Sequence, residues 1–504
     1  VAADFNVDGW DDLYLTVDGS DRLLMNQGDG TFVDETTSAG LGASEWTTAV
    51  SVGDLNGDGL PDLFVGAYIS LDNKIPNPMG AFPQDYFGLP DHLYIHDGIA
   101  PDGSIHFTEV TLEVGLLREE RTLGSILTDV DLDGDLDLYI ANDGQPNRLY
   151  ENVPVDNDLI GFRFVDLVDS AQVGDAGSGM GVASGDYDGD GFFDLLVTNW
   201  EAELNALYRN ETAENDHISF RYSTFRIGMR GLGNNQTGWG VTLADFDHDT
   251  DMDMMNVNGR VPVANFTTDP ELVQLYGNSL AEQGRATFLP WTQRVGLSAV
   301  GPLLARGSAI ADYDNDGDLD IAINIIRGEA VLLENRDVSG NWLLVSGDFD
   351  AGTKVIVTLP DGRELIRELH TGSSYLSSED PRLHFGLGNV DVVSQVTIYL
   401  PDNQSLALSE IAANQIVPLQ PKLEEIIIRG NGDPFYISLT NIINNLFRVP
   451  KICQHKEASD CIGKQQTFIG SFALAIAWRF LLVAPPRDSV PGAPSSPARR
   501  TPSL

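Results

Sequence analysis

Cysteine is nearly missing from this chain of 504 residues: only Cys453 and Cys461 occur, both towards its C-terminal end. The main body is therefore no disulfide scaffold, and cysteine usage leaves the compartment open. Positive charge is scarce too. Thirty Lys and Arg stand against 75 Asp and Glu, a formal net charge of -45, which argues against nucleic acid or an anionic membrane surface as a partner of the body. Common catalytic signatures are also missing: there is no zinc-protease helix motif, nucleophile elbow, phosphate loop or dinucleotide fingerprint. The eight histidines are spread along the chain and include no zinc-protease motif. No signal peptide is visible, and the chain opens at "VAADFNVDGWDD", without Met and already inside a motif, so loss of the true N-terminus is expected. Glycine and proline are plentiful at 51 and 25, which points to many turns and few long helices. The length calls for two or more structural units.

What the sequence has in excess is aspartate at alternate positions. The pattern Asp-x-Asp/Asn-x-Asp-Gly-x-x-Asp places Asp4, Asn6, Asp8 and Asp12 in a first loop, and Asp54, Asn56, Asp58 and Asp62 in a second. A third holds Asp129, Asp131, Asp133 and Asp137, and a fourth Asp186, Asp188, Asp190 and Asp194. The fifth, with Asp245, Asp247, Asp249 and Asp253, has Thr250 where the others carry glycine; the sixth holds Asp312, Asp314, Asp316 and Asp320. Apolar runs such as "LFVGA" and "LYIAN" follow the loops, and small and apolar residues precede them. Strand, acidic loop, strand, six times over, is the reading.

Such loops suit Ca²⁺, a hard cation that takes several oxygen ligands at once. Positions one, three, five and nine offer side chains and position seven a carbonyl, while glycine at six allows the sharp turn at positive φ. Mg²⁺ prefers to keep its waters, and an EF-hand would end with Glu at position twelve between helices. Up to six Ca²⁺ are expected. Thr250 should weaken the fifth loop, because a β-branched residue resists positive φ. On charge alone, Asn56 makes the second loop a weaker site than the all-aspartate third.

These loops, with the stretches "DRLLMNQGDGTFVDETTSAGL", "NRLYEN" and "NALYRN" that follow them, resemble the FG-GAP/VCBS repeats of integrin alpha-chain β-propellers and their bacterial relatives. The resemblance spans residues 1–338. It implies an all-β fold, a propeller of four-stranded blades, seven in the intact protein, with the Ca²⁺ loops on one face.

From 339 to 421 the acidic pattern stops. Alternation in "KVIVTL" and "VTIYL", with turns at "PDG" and "PDN", predicts a small antiparallel β domain. Its words "GSSYLSSEDPRLHFGLG" and "ANQ" resemble the ASPIC/UnbV domain found behind such propellers in bacteria and in the cartilage acidic protein family. His384, Ser373, Ser374 and Tyr375 are read as structural residues, since no base at a useful spacing accompanies them.

Residues 422–504 are atypical. The last 82 residues carry nine basic and six acidic side chains against 21 and 69 before them, and include the apolar stretch 467–484. Membrane anchor, docked segment and extraneous extension are the three readings, with a disordered final twenty residues. Membrane contact is expected only if 467–484 is an anchor.

The expected function is Ca²⁺-dependent binding of an extracellular protein or glycan, outside the cell or at its surface. Trp46, Trp200, Trp239 and Trp291 are candidates for a ligand surface or for packing between blades. A secreted carbohydrate-active enzyme and a purely structural scaffold are the alternatives.

Overall fold

Every acidic loop joins the first two strands of a small antiparallel sheet. In the computed structural model, the described residues are 1–419, apart from 156–159, 216, 229–232, 234, 262–265, 267–268, 337–338, 348 and 402–403, together with the strands Ile426–Ile428 and Phe435–Ile437. The first sheet comprises Ala2–Ala3, Asp12–Leu15, Arg22–Asn26 and Phe32–Asp34; the second comprises Thr47–Gly53, Asp62–Ala67, His92–Ile99 and Ile105–Glu109. The third runs Thr122–Thr128, Asp137–Asn142, Arg148–Pro154, Phe162–Asp166, and the fourth Val182–Gly185, Asp194–Val197, Ala206–Asn210, Phe220–Tyr222. Gly238–Ala244, Asp253–Asn258, Gln274–Gly277 and Leu289–Pro290 form the fifth, and Ala305–Ala311, Asp320–Ile325 and Val331–Leu333 the three-stranded sixth.

Each sheet stacks on the next. Phe5 and Tyr14 of the first share a core with Leu63 and Tyr94 of the second. Phe64 and Leu93 then pack with Leu138 and Phe164, and Tyr139 and Leu149 with Leu195 and Phe220. The same handover continues through Leu196 with Met254, and Met255 with Ile321. Both faces of a middle sheet are covered, so its strands read as continuous apolar runs, as in the fully buried Asp62–Ala67 and Asp137–Asn142. The architecture is a β-propeller. Six blades are present among the described residues; the expected seventh is not seen among them.

One element was not foreseen. Ile69–Lys74 and Tyr86–Pro90, inserted between the second and third strands of the second blade, form an additional three-stranded sheet with Glu119–Glu120, which precedes the third blade.

After the sixth blade come two more sheets. Glu364–Glu368, Lys354–Thr358, Val392–Tyr399 and Ser405–Ala412 form one, antiparallel throughout. In the other, Asn341–Gly347 pairs antiparallel with Leu383–Gly388 and parallel with Gln415–Leu419. Leu343, Val355, Phe385 and Val396 are among the side chains of their shared core. The propeller and these sheets fall within one compact unit, Val1–Gln420.

Between those sheets, residues 371–380 run among the innermost strands of the blades. Val52 N–H donates to Thr371 O at 2.9 Å, while Val182 and Ser374 exchange backbone hydrogen bonds of 2.9 and 2.7 Å. Val241 N–H reaches Ser374 Oγ at 3.0 Å, and Ser308 Oγ lies 3.3 Å from it. Tyr375 is buried edge-on to Trp239, with ring centroids 4.8 Å apart. The "GSSYLSS" words thus form an axle on which four blades bear.

Among the described residues no helix is long and apolar enough to cross a membrane. The stretch 467–484, both cysteines and the final twenty residues lie outside the described residues.

Candidate metal centres

The six loops share one hydrogen-bond scheme. The first aspartate accepts the backbone N–H of position five at 3.0–3.1 Å, from Asp8 onto Asp4 through Asp316 onto Asp312. It also accepts the N–H of position six. These bonds curl the backbone around the first carboxylate and turn the intervening side chains toward a common centre. Gly59 and Gly191 meet the turn at φ of 82° and 90°, and Thr250 adopts the same conformation at 92°. The threonine therefore keeps the loop closed at a steric cost, and its Oγ1 accepts a hydrogen bond from Arg363 Nη1 at 2.9 Å.

The ninth residue opens the second strand and is buried in every loop: Asp12, Asp62, Asp137, Asp194, Asp253 and Asp320. One of its oxygens accepts the N–H of position two. The other accepts an N–H from the third strand or the residues just after it, from Asn26, His96, Asn152, Asn210, Asn278 and Asn335 in turn. These third-strand residues reach further. Asn152 Nδ2 donates to Leu55 O at 3.0 Å, Asn210 to Val130 O at 2.7 Å, Asn278 to Tyr187 O at 2.9 Å and Asn335 to Phe246 O at 3.0 Å. Each acceptor is position two of the preceding blade's loop, and His96 Nε2 lies 3.1 Å from Phe5 O in the same way. Neighbouring loops are clasped into a chain. Asn210, one of these clasps, is buried with its amide spent.

Carboxylates converge as the spacing requires. Asp129, Asp131 and Asp137 each bring an oxygen within 4.8 Å of the others, as do Asp186, Asp188 and Asp194, Asp245, Asp247 and Asp253, and Asp312, Asp314 and Asp316. Asp249 groups instead with Asp251 and Glu282, two residues that the spacing did not single out. In the first two loops the third position is amide: Asn6 and Asn56 each donate to the neighbouring Asp8 or Asp58 at 3.1 Å. Burial is the main cause that pushes these acids up, Asp12, Asp131 and Asp186 to about 6, and Asp62, Asp137, Asp194, Asp245 and Asp253 well above the usual carboxylate range.

The donor set is all hard oxygen, and buried acceptors stand ready. Asn6 Oδ1 and Asp188 Oδ1 are buried with no hydrogen-bond partner. These residues fit a hard divalent cation.

Two stretches, residues 4–65 and 129–197, match the model of FG-GAP-like repeats, and residues 346–425 match the ASPIC and UnbV family. The chain carries FG-GAP repeats followed by an ASPIC and UnbV domain. It is similar to mouse cartilage acidic protein 1, 28% identical over 64% of this chain and 48% of the relative. The human protein of that name is 27% identical over 69% of this chain and 52% of its own length. The chain thus spans about half the length of these relatives. Among solved structures, an Agrocybe aegerita lectin specific for non-reducing terminal N-acetylglucosamine aligns over 67% of this chain and 80% of its own, at 15% identity and a TM-score of 0.38.

Basic side chains, which sequence reading passed over, meet the FG-GAP loops. Arg209 of the fourth blade bonds Asp188 and Asp190. From the ASPIC and UnbV domain, Lys354 bonds Asp129, and Arg382 Nη2 donates to Asp312 O at 2.6 Å. Arg367 is buried, with Asp245 and Asp186 the foremost of the acids that favour its charge. His384, also from that domain, is buried with Nε2 2.9 Å from Gly317 O; burial and the facing His248 pull its pKa down to about 3. It is a neutral structural contact to the sixth loop. Of the four candidate tryptophans, Trp239 and Trp291 are buried in packing, whereas Trp200 is the most exposed at 37%. Trp46 stands edge-on to Tyr68 at 5.1 Å.

Proposed function

We propose that this chain is a Ca²⁺-binding FG-GAP propeller that acts outside the cell, or at its surface, by binding a protein or glycan ligand and not by catalysis. The observation that carries the reading is the crowding of buried carboxylates in the loops, some with acceptor oxygens that have no partner. Left alone they repel one another or take up protons; a divalent cation satisfies them together. Loops of this type become useful where Ca²⁺ is millimolar, as outside cells, because modest affinity then suffices. The net charge of -45 supports a partner other than nucleic acid.

Calorimetric titration of the metal-free protein with Ca²⁺ tests the first half: heat with a stoichiometry above one is expected, and no binding at millimolar Ca²⁺ would remove the proposal. Glycan and matrix-protein arrays run with Ca²⁺ and with chelator test the second. Ligand capture that needs Ca²⁺ is expected, whereas turnover in a polysaccharide-cleavage screen would favour an enzyme.

A further inference from the structure

At the residue just before the clasp asparagine or histidine, the blades carry Met25, Ile95, Glu151, Arg209, Gly277 and Glu334. Only the fourth is a cation, and it turns back over its own loop. Arg209 Nε binds Asp188 Oδ2, and Nη2 binds Asp190 Oδ2 at 2.6 Å. Asp188 and Asp190 are positions three and five of that loop, and the Arg209 side chain is only 17% exposed. Nη1 is fixed by Glu214 at 2.9 Å, so the guanidinium is held from behind. The third loop meets a cation from elsewhere in the chain: Lys354 Nζ lies against Asp129 Oδ2, position one, on a carboxylate that is 2% exposed.

We infer that Arg209 and Lys354 are built-in counter-ions of the fourth and third loops, competing with divalent cation for the same oxygens. The inference rests on the Ca²⁺ reading above. A guanidinium bridging two of the four side-chain ligands must leave, or share them, before a cation is fully coordinated. An ammonium on the first ligand does the same and adds repulsion toward a dication. Counting acids therefore misorders the sites: the third loop, aspartate at all four side-chain positions, is already part-neutralised from within. Loops one and two, with an amide at position three, are left to the external ion.

Equilibrium dialysis with Ca²⁺ on the full chain, as the parent, Arg209→Gln, Arg209→Lys and Lys354→Gln, tests this. Each Gln variant is expected to tighten one class of sites by about tenfold or more, or to add one ion per chain. Arg209→Lys, which keeps a cation there, should stay near the parent. Unchanged stoichiometry and affinity in folded Gln variants, beside a parent that binds Ca²⁺, would overturn this inference alone. A parent that binds no Ca²⁺ would overturn the Ca²⁺ reading with it. Circular dichroism of each variant confirms folding, and a Gln variant that does not fold is replaced by Arg209→Met or Lys354→Met.

Discussion

Asn210, in the fourth blade, donates its side-chain amide to the carbonyl of Val130, in the acidic loop of the third, at 2.7 Å. The same amide reaches Phe193 O at 3.0 Å, and the side chain is buried. Replacing it by alanine strands two buried carbonyls. Asn210→Ala is expected to cost about 1–3 kcal/mol, read by urea denaturation, and Asn152→Ala should lie in the same range. A loss near zero would show that water replaces the clasp at no cost.

Removal of divalent cation should loosen the propeller. At millimolar Ca²⁺ and an affinity of ~0.1 mM, each occupied loop contributes on the order of 1–2 kcal/mol. Melting is expected to shift to lower temperature in chelator and to recover with added Ca²⁺. An unchanged midpoint would count against metal at these loops.

The axle residue Tyr375 is buried against Trp239 and belongs to a small cluster with Tyr68, Leu123 and Met180. Tyr375→Ala leaves a cavity among several blades at once and should cost about 3–5 kcal/mol. Limited proteolysis offers a second readout: cleavage of the propeller should speed up, whereas an exposed turn at this place would tolerate the change. Tyr375→Phe should be mild.

Asp91 is buried between the inserted sheet and the second blade, accepting from Ala67 N–H at 2.9 Å and Thr122 Oγ1 at 3.2 Å. Burial raises its pKa to about 7. The folded chain therefore holds a proton there that the unfolded chain releases near pH 4. Its contribution is complete below pH 4, declines as pH rises toward 7, and is lost above that. Asp91→Asn removes this dependence. Denaturation midpoints between pH 4 and 8 should fall less steeply with pH in the variant than in the parent; parallel curves would show that Asp91 ionises normally.

Much of this was legible in the sequence, because the acidic loops and their flanking strands are local. Nine residues contain the curl, the glycine and the strand start, so spacing alone places Asp54 and Asp62 at either end of one turn. The clasps were half visible. "NRLYEN" and "NALYRN" show the recurring asparagine, yet its acceptor lies in the preceding blade, 80 residues earlier for Asn210 and 97 for Asn152. The counter-ions were hidden for the same reason, Lys354 standing 225 residues from Asp129. Ser374 and Tyr375 read as structural residues with no partner named, because their neighbours along the chain are mostly small and polar; their partners are the inner strands, which no local pattern names.

The bridge from Val52 to Thr371 joins points 319 residues apart, so the hub of the wheel is made after most of its rim. On a ribosome the first blades emerge and pair while the segment that will run between them is still unmade. Until residue 380 is available, polar backbone at Val52, Val182 and Val241 faces an empty bore and must be held by water. Completion of the fold is then a late, long-range event, and a chain stopped before the axle would be a row of stacked blades still waiting for its centre.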